Sequence, residues 1–137
     1  DVEAVIKIVL DKIGGKTLKQ FYAAHILPLH GLTPKKLPEA VEPPTIEKSL
    51  FGWQINAGAK KSVPCASELE ARYLAVWLGA GVSTVKLPTD EKALKKIVPL
   101  LESRKAEIDE IVEVYLGSLL DKKLKAHILH QIWQRIA

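Results

Sequence analysis

Cys65 is the residue whose type and position come nearest to covalent chemistry. It stands two residues ahead of a helix predicted to open at Ser67. A thiol near a helix N-terminus can ionise easily and act as a nucleophile once a base is close. No histidine is near in sequence, so His25 or His30 would have to reach it through the fold. A small buried residue at a strand end is the simpler account. His127 and His130 are spaced i, i+3 on the last predicted helix, which can present two imidazoles to one metal. A zinc site needs a further ligand, and the acids Glu107, Asp109, Glu110 and Glu113 belong to the preceding segment. No metal motif is completed, so neither a metal nor a cofactor is expected. His25 falls on the apolar face of its helix and reads as a core or interface histidine. Gly79-Ala80-Gly81 follows a helix, whereas phosphate-cradling glycines open one. Gly14-Gly15-Lys16-Thr17 lacks the earlier glycine of a phosphate loop and reads as a helix stop followed by a cap.

Charge carries a different chemistry. The 137-residue chain has a net charge of +4, and Arg72, Arg104 and Arg135 are its only arginines. Lysine is a point charge suited to phosphate contact, whereas base-edge reading favours arginine. The candidate nucleic-acid contacts are Lys35, Lys36, Lys60, Lys61, Lys122, Lys123, Lys125 and Arg135, with Trp53 as an aromatic base beside the Lys60-Lys61 pair.

The elements that must position these residues follow from periodicity and stop signals. Val2, Val5, Ile6, Val9 and Ile13 share a helical face that ends at Gly14-Gly15. Thr17 caps a second helix through Phe21, Tyr22 and His25, limited by Pro28, so residues 1–30 read as a helical hairpin. Residues 31–48 hold Pro34, Pro38, Pro43 and Pro44 and read as a Pro-rich connector without an element. Residues 49–137 then form an α+β core with C-terminal helices. Leu50–Ile55 and Lys60–Cys65 are predicted to pair as a β-hairpin, with Pro64 on an edge. Ser67 and Glu70 make a capping box for the central helix, whose inner face is Leu69, Tyr73, Val76 and Trp77. Residues 84–87 are predicted as a strand that would join strand 61–65 in a parallel βαβ unit.

Thr89 caps the next helix, with Leu94, Ile97, Val98 and Leu101 inside. Pro99 should kink or break that helix. The apolar stripe returns from Ile108 to Leu120, and a last helix runs from Lys122 to Ile136. The expected fold is α+β and mostly helical. A small three-stranded sheet, covered by one helix, is followed by a C-terminal helical hairpin or trio.

The run Glu107-Ile-Asp-Glu-Ile-Val-Glu-Val-Tyr-Leu-Gly117 is similar to an Ile-Asp-x-Ile-Val-x-x-x-Tyr-x-Gly pattern in the C-terminal helical part of adenine-specific DNA methyltransferases of restriction-modification systems, with two residues instead of three between Val112 and Tyr115. The similarity covers these residues and the strand–helix–strand context before them. The Asn-Pro-Pro-Tyr or Asp-Pro-Pro-Tyr tetrapeptide that carries methyl transfer in that family is absent. The resemblance therefore implies an accessory or recognition part, and no functional residue of the family carries over.

Three functions are expected in order. The first is a non-catalytic DNA-binding or recognition module, part of a larger DNA-modifying enzyme. The second is a helical protein–protein interaction or assembly domain, motivated by Leu116, Leu119, Leu120, Leu129 and Ile136, which exceed one apolar stripe. The third is a small enzyme using Cys65. The lack of any methionine suggests a natural start lying elsewhere, by processing, truncation or excision. No apolar run approaches the ~18 residues of a membrane span, so no membrane partner is expected. A lone cysteine allows no internal disulfide and fits a cytoplasmic, reducing setting.

Overall fold

A computed structural model describes all residues, 1–137. Helix α1 spans Val2–Ile13, with Asp1 as its cap, and buries Ile6, Val9 and Ile13 on one face. Gly14 ends it in the left-handed region at φ 58°, a conformation glycine adopts without strain. Thr17 caps the short helix α2, Leu18–Phe21, by accepting from the Gln20 N–H. The chain then widens into a π-helical turn, Tyr22–Ile26, in which Leu27 N–H donates to Tyr22 O. That extra residue shifts the phase. Ile26 turns inward and His25 outward, so His25 is exposed against the Phe21 ring rather than buried as expected.

Residues 31–48 are not an element-free connector. They supply β1, Leu32–Lys36, and β2, Thr45–Ser49. Strand β3, Gly52–Asn56, is central in a three-stranded antiparallel sheet, with β2 on one side and β4, Ser62–Cys65, on the other. Strands β3 and β4 form the expected hairpin, and Pro64 lies on the outer strand, where its missing N–H leaves no ladder bond unmade. The expected parallel βαβ unit is absent. Strand β5, Thr84–Pro88, pairs antiparallel with β1 in a separate two-stranded sheet. A crossover from β4 to a parallel neighbour needs length. The chain between β4 and β5 is a single three-turn helix, while β1 offers β5 an open edge.

That helix is α3, Glu68–Gly79. Ser67 accepts from Glu70 N–H at 3.1 Å, and Glu70 reaches back to the Ala66 N–H, one residue earlier than in a standard capping box. Helix α3 lies between the three-stranded sheet and α4. The Tyr73 hydroxyl donates to Lys86 O on β5 at 2.7 Å, and the Tyr22 hydroxyl accepts from Lys86 N–H at 3.1 Å. The two phenols thus occupy the β5 edge that no strand covers.

Helix α4, Glu91–Leu116, runs unbroken through Pro99. Its cap is Asp90 rather than Thr89, whose hydroxyl donates to Gly31 O instead. Proline removes one helical donor, a loss of roughly 3 kcal/mol in an isolated helix. Here Ile97, Val98, Leu101, Ile108 and Val112 are buried along one side, and the proline is exposed on the other. Burial at ~25 cal/mol per Å² across five such side chains exceeds the loss. Helix α5, Lys122–Ile136, returns antiparallel to α4, with Lys125 near Glu113 and Lys105 over the Trp133 ring. The C-terminal region is therefore a helical hairpin. Helix α1 packs on both of its arms. No helix is long and apolar enough to cross a membrane.

Candidate nucleic-acid interface

The predicted basic residues separate into two groups once the chain folds. On α5, Lys125 lies 4.0 Å from Glu113, and Arg135 makes a two-pronged bridge to Glu3 at 3.0 and 3.3 Å. Their charge is balanced inside the molecule. Lys122 and Lys123 are exposed at the start of α5, beside the end of α4. Lys35 shares a cleft with Glu91 and Leu94 at the other end of α4. A helix of 26 residues is about 39 Å long, so Lys122 and Lys123 do not converge with Lys35.

The strand lysines form the second group. Lys36 and Lys60 are exposed. Lys61 Nζ donates to Glu39 O at 3.2 Å, which brings the β3–β4 turn against the segment leaving β1. Glu39 is three residues from Lys36, a reach of at most about 11 Å. Lys36, Lys60 and Lys61 therefore share one neighbourhood. No carboxylate lies within 4.0 Å of their ammonium groups, since the ion pairs of the molecule use Arg72, Lys105, Lys125 and Arg135. Lys35 points to the other face of β1, half-buried, where it sits near Cys65.

The turn holding Lys60 is under backbone strain. Gly58, Ala59 and Lys60 all take positive φ, at 82°, 48° and 61°. Neither alanine nor lysine prefers this region, and each such residue costs of order 1 kcal/mol. The turn is held by Gly58 N–H donating to Asn56 Oδ1 at 3.0 Å and Ala57 N–H donating to Lys61 O at 2.9 Å. The result is a constrained backbone that carries an exposed lysine.

Trp53 is not beside this turn. Asn56 pairs with Ser62 at the turn end of the ladder, and Trp53 pairs with Cys65 at the other. Trp53 is half-buried and packs on the core, and its ring faces Lys48 Nζ at 5.9 Å. Lys48 was not among the expected contacts. Nor were Leu50 and Phe51, which belong to the β2–β3 turn rather than to a strand. A signal for them is present in the sequence: residues 48–67 contain Lys48, Lys60 and Lys61 and no Asp or Glu.

The alternative chemistries lose their geometry. Cys65 is buried, its thiol lies 3.5 Å from Val63 O, and burial, reinforced by Glu70, pushes its pKa up to about 11. A thiol that keeps its proton at neutral pH is a poor nucleophile. His127 and His130 are exposed, and no three His, Cys, Asp or Glu side chains gather closely enough to hold a metal. Of the five apolar residues that exceeded one stripe, Leu116 and Ile136 are buried and Leu119 and Leu129 are partly so. Only Leu120 stands fully in solvent. Comparison of the chain with family models, with curated proteins and with solved structures finds no match in any of the three.

Proposed function

We propose that this chain is a non-catalytic nucleic-acid-binding module, with duplex DNA as its ligand and a DNA-modifying enzyme as the setting in which it works. The observation that carries the reading is the set of strand and turn lysines without acidic partners. Lys36, Lys60 and Lys61 lie near the Leu37–Glu42 segment, whose Glu39 and Glu42 make no ion pair with them, and Lys48 extends the set along residues 48–67, which hold no acid. Lysines of this kind neutralise phosphates and release counterions. The similarity of residues 107–117 to the helical part of adenine-specific methyltransferases agrees with a recognition role, and this segment forms the last turns of α4 and its C-cap, Gly117.

Titration of a duplex at several salt concentrations tests the reading. Four phosphate contacts give a slope of log K against log salt of about −3.6. Lys60→Ala with Lys61→Ala should flatten that slope by about 2. Absence of salt-sensitive binding even at low salt would sink the proposal.

A further inference from the structure

The most exposed large apolar residues sit side by side. Leu50 is 97% and Phe51 99% exposed, at the turn joining β2 to β3. Isolated exposed leucines are ordinary in proteins, but an adjacent Leu-Phe pair at the apex of a ribbon is a concentrated liability unless something covers it. The turn constrains the backbone on either side of the pair. Ser49 Oγ donates to Gly52 O at 3.1 Å, and Gly52 takes φ 133°, open only to glycine. A Cβ there would stand 3.4 Å from Cys65 O on β4.

We propose that Leu50 and Phe51 form an apolar wedge that inserts between stacked base pairs of duplex DNA. The inference rests on the DNA-binding reading and adds the mode of contact. Three observations select this occupant. The first is charge. Lys48, just below the apex, and Lys60 and Lys61 at the opposite turn are the only charged residues from 48 to 67. The apex is acid-free and complementary to a polyanion, and the one acid of the β2–β3 ribbon, Glu47, has its carboxylate engaged by the side-chain amides of Gln54 and Asn56. The second is size. Two side chains bury at most roughly 400 Å², far below the ~1,200 Å² of a stable protein pair. The apex therefore suits point insertion better than a face-to-face contact with a second copy. The third is shape. A β-ribbon fits a DNA groove. Strand β3 places the lysine turn roughly 17 Å from the apex, so a ribbon lying along a groove engages phosphates at one end and a base step at the other. A lipid surface would accept the apex but would leave Lys60 and Lys61 without a role. Insertion of Phe and Leu side chains unstacks the step and bends the duplex, most readily at flexible TpA steps.

The test uses the whole chain and duplexes carrying 2-aminopurine at TpA steps, with end-labelled duplexes reporting bend. Wild type should raise 2-aminopurine fluorescence and shorten the end-to-end distance. Leu50→Ser with Phe51→Ser should abolish both signals and weaken binding about tenfold. Weaker, salt-sensitive binding should remain through the lysines. Circular dichroism checks that the variant folds, which the exposure of both residues favours. If wild type and variant bind duplex equally and neither perturbs the bases, the wedge is overturned and the DNA reading stands. If neither binds duplex at low salt, both fail. Vesicles of phosphatidylserine and phosphatidylcholine, and light scattering of the protein alone, complete the set. Tip-dependent vesicle binding or self-association without base unstacking assigns the apex to a membrane or to a second copy and overturns the wedge.

Discussion

Arg135 grips Glu3 with both guanidinium arms, across 132 residues of sequence. This pair adds to the packing of the last helix on the first, and it engages Arg135 within the molecule. Both partners are partly exposed, so the pair is screened by solvent and salt. The hydrogen bond and charge of Arg135 hold the Glu3 carboxyl below its ordinary pKa. A carboxylate with a lowered folded-state pKa stabilises the fold above its unfolded pKa, and the contribution disappears as pH falls through the folded value. Glu3→Gln should therefore lower the urea midpoint slightly near neutrality and have no effect in acid. A midpoint difference that persists unchanged in acid would show that the ion pair is not its source.

The β5 edge depends on Tyr73. Tyr73→Phe keeps the ring but leaves Lys86 O without the donor that now lies at 2.7 Å. The expected loss is about 1 kcal/mol, read as a lower urea midpoint at unchanged slope. Amide exchange along Thr84–Pro88 should quicken in the same variant. An unaltered exchange pattern there would argue that this hydrogen bond does not hold the strand.

Strain at Lys60 separates stability from binding. Lys60→Gly relieves a φ of 61° and should raise stability by up to about 1 kcal/mol. The same change removes one exposed ammonium of the proposed duplex contact and should weaken duplex binding. A variant less stable than wild type would mean that the lysine side chain, not its backbone, governs this turn.

The opposite response is expected at the other turn. Gly52→Ala forces a side chain into φ 133° beside Cys65 O and should destabilise by about 1–3 kcal/mol. Heteronuclear relaxation should report a more mobile Leu50-Phe51 apex. Wild-type stability in this variant would remove the argument for a constrained turn.

Cys65 should label slowly in the native protein near neutral pH and quickly after unfolding. Its thiol pKa is raised by burial, so the unfolded chain ionises first as pH rises. Stability should therefore fall between about pH 9 and about pH 11. Burial raises the Tyr73 phenol as well, in the same sense, at higher pH. Cys65→Ala should flatten the earlier part of the decline, followed by thermal unfolding across that range. Fast native-state labelling would instead restore the case for a reactive thiol.

Local chemistry in the sequence determined much of this protein. Thr17 and Ser67 accept from N–H groups three residues on, and the spacing of α1 shows which face it buries, whereas α3 also buries Ala71, Leu74 and Leu78 and leaves Leu69 half-buried. The β3–β4 hairpin also follows from neighbouring residues, since its register is set by the turn between them. Folding decided what no local window contains. Within 31–48, residues 32–36 and 45–48 became strands because β5 and β3 offered them ladders; Pro34 sits on the open edge of β1, Pro44 just ahead of β2, and Pro38 and Pro43 in the link between them. Helix α4 kept going through Pro99 because its neighbours bury one whole side of it. The candidate interface depends on the fold in the same way. Nothing in the sequence near Arg135 or Lys125 says that Glu3 and Glu113 will neutralise them, while the lysines of the acid-free stretch keep their charge free. A charge is a property of a residue, but its availability depends on which distant residues the fold brings within a few ångströms, and that distance is set only by tertiary packing.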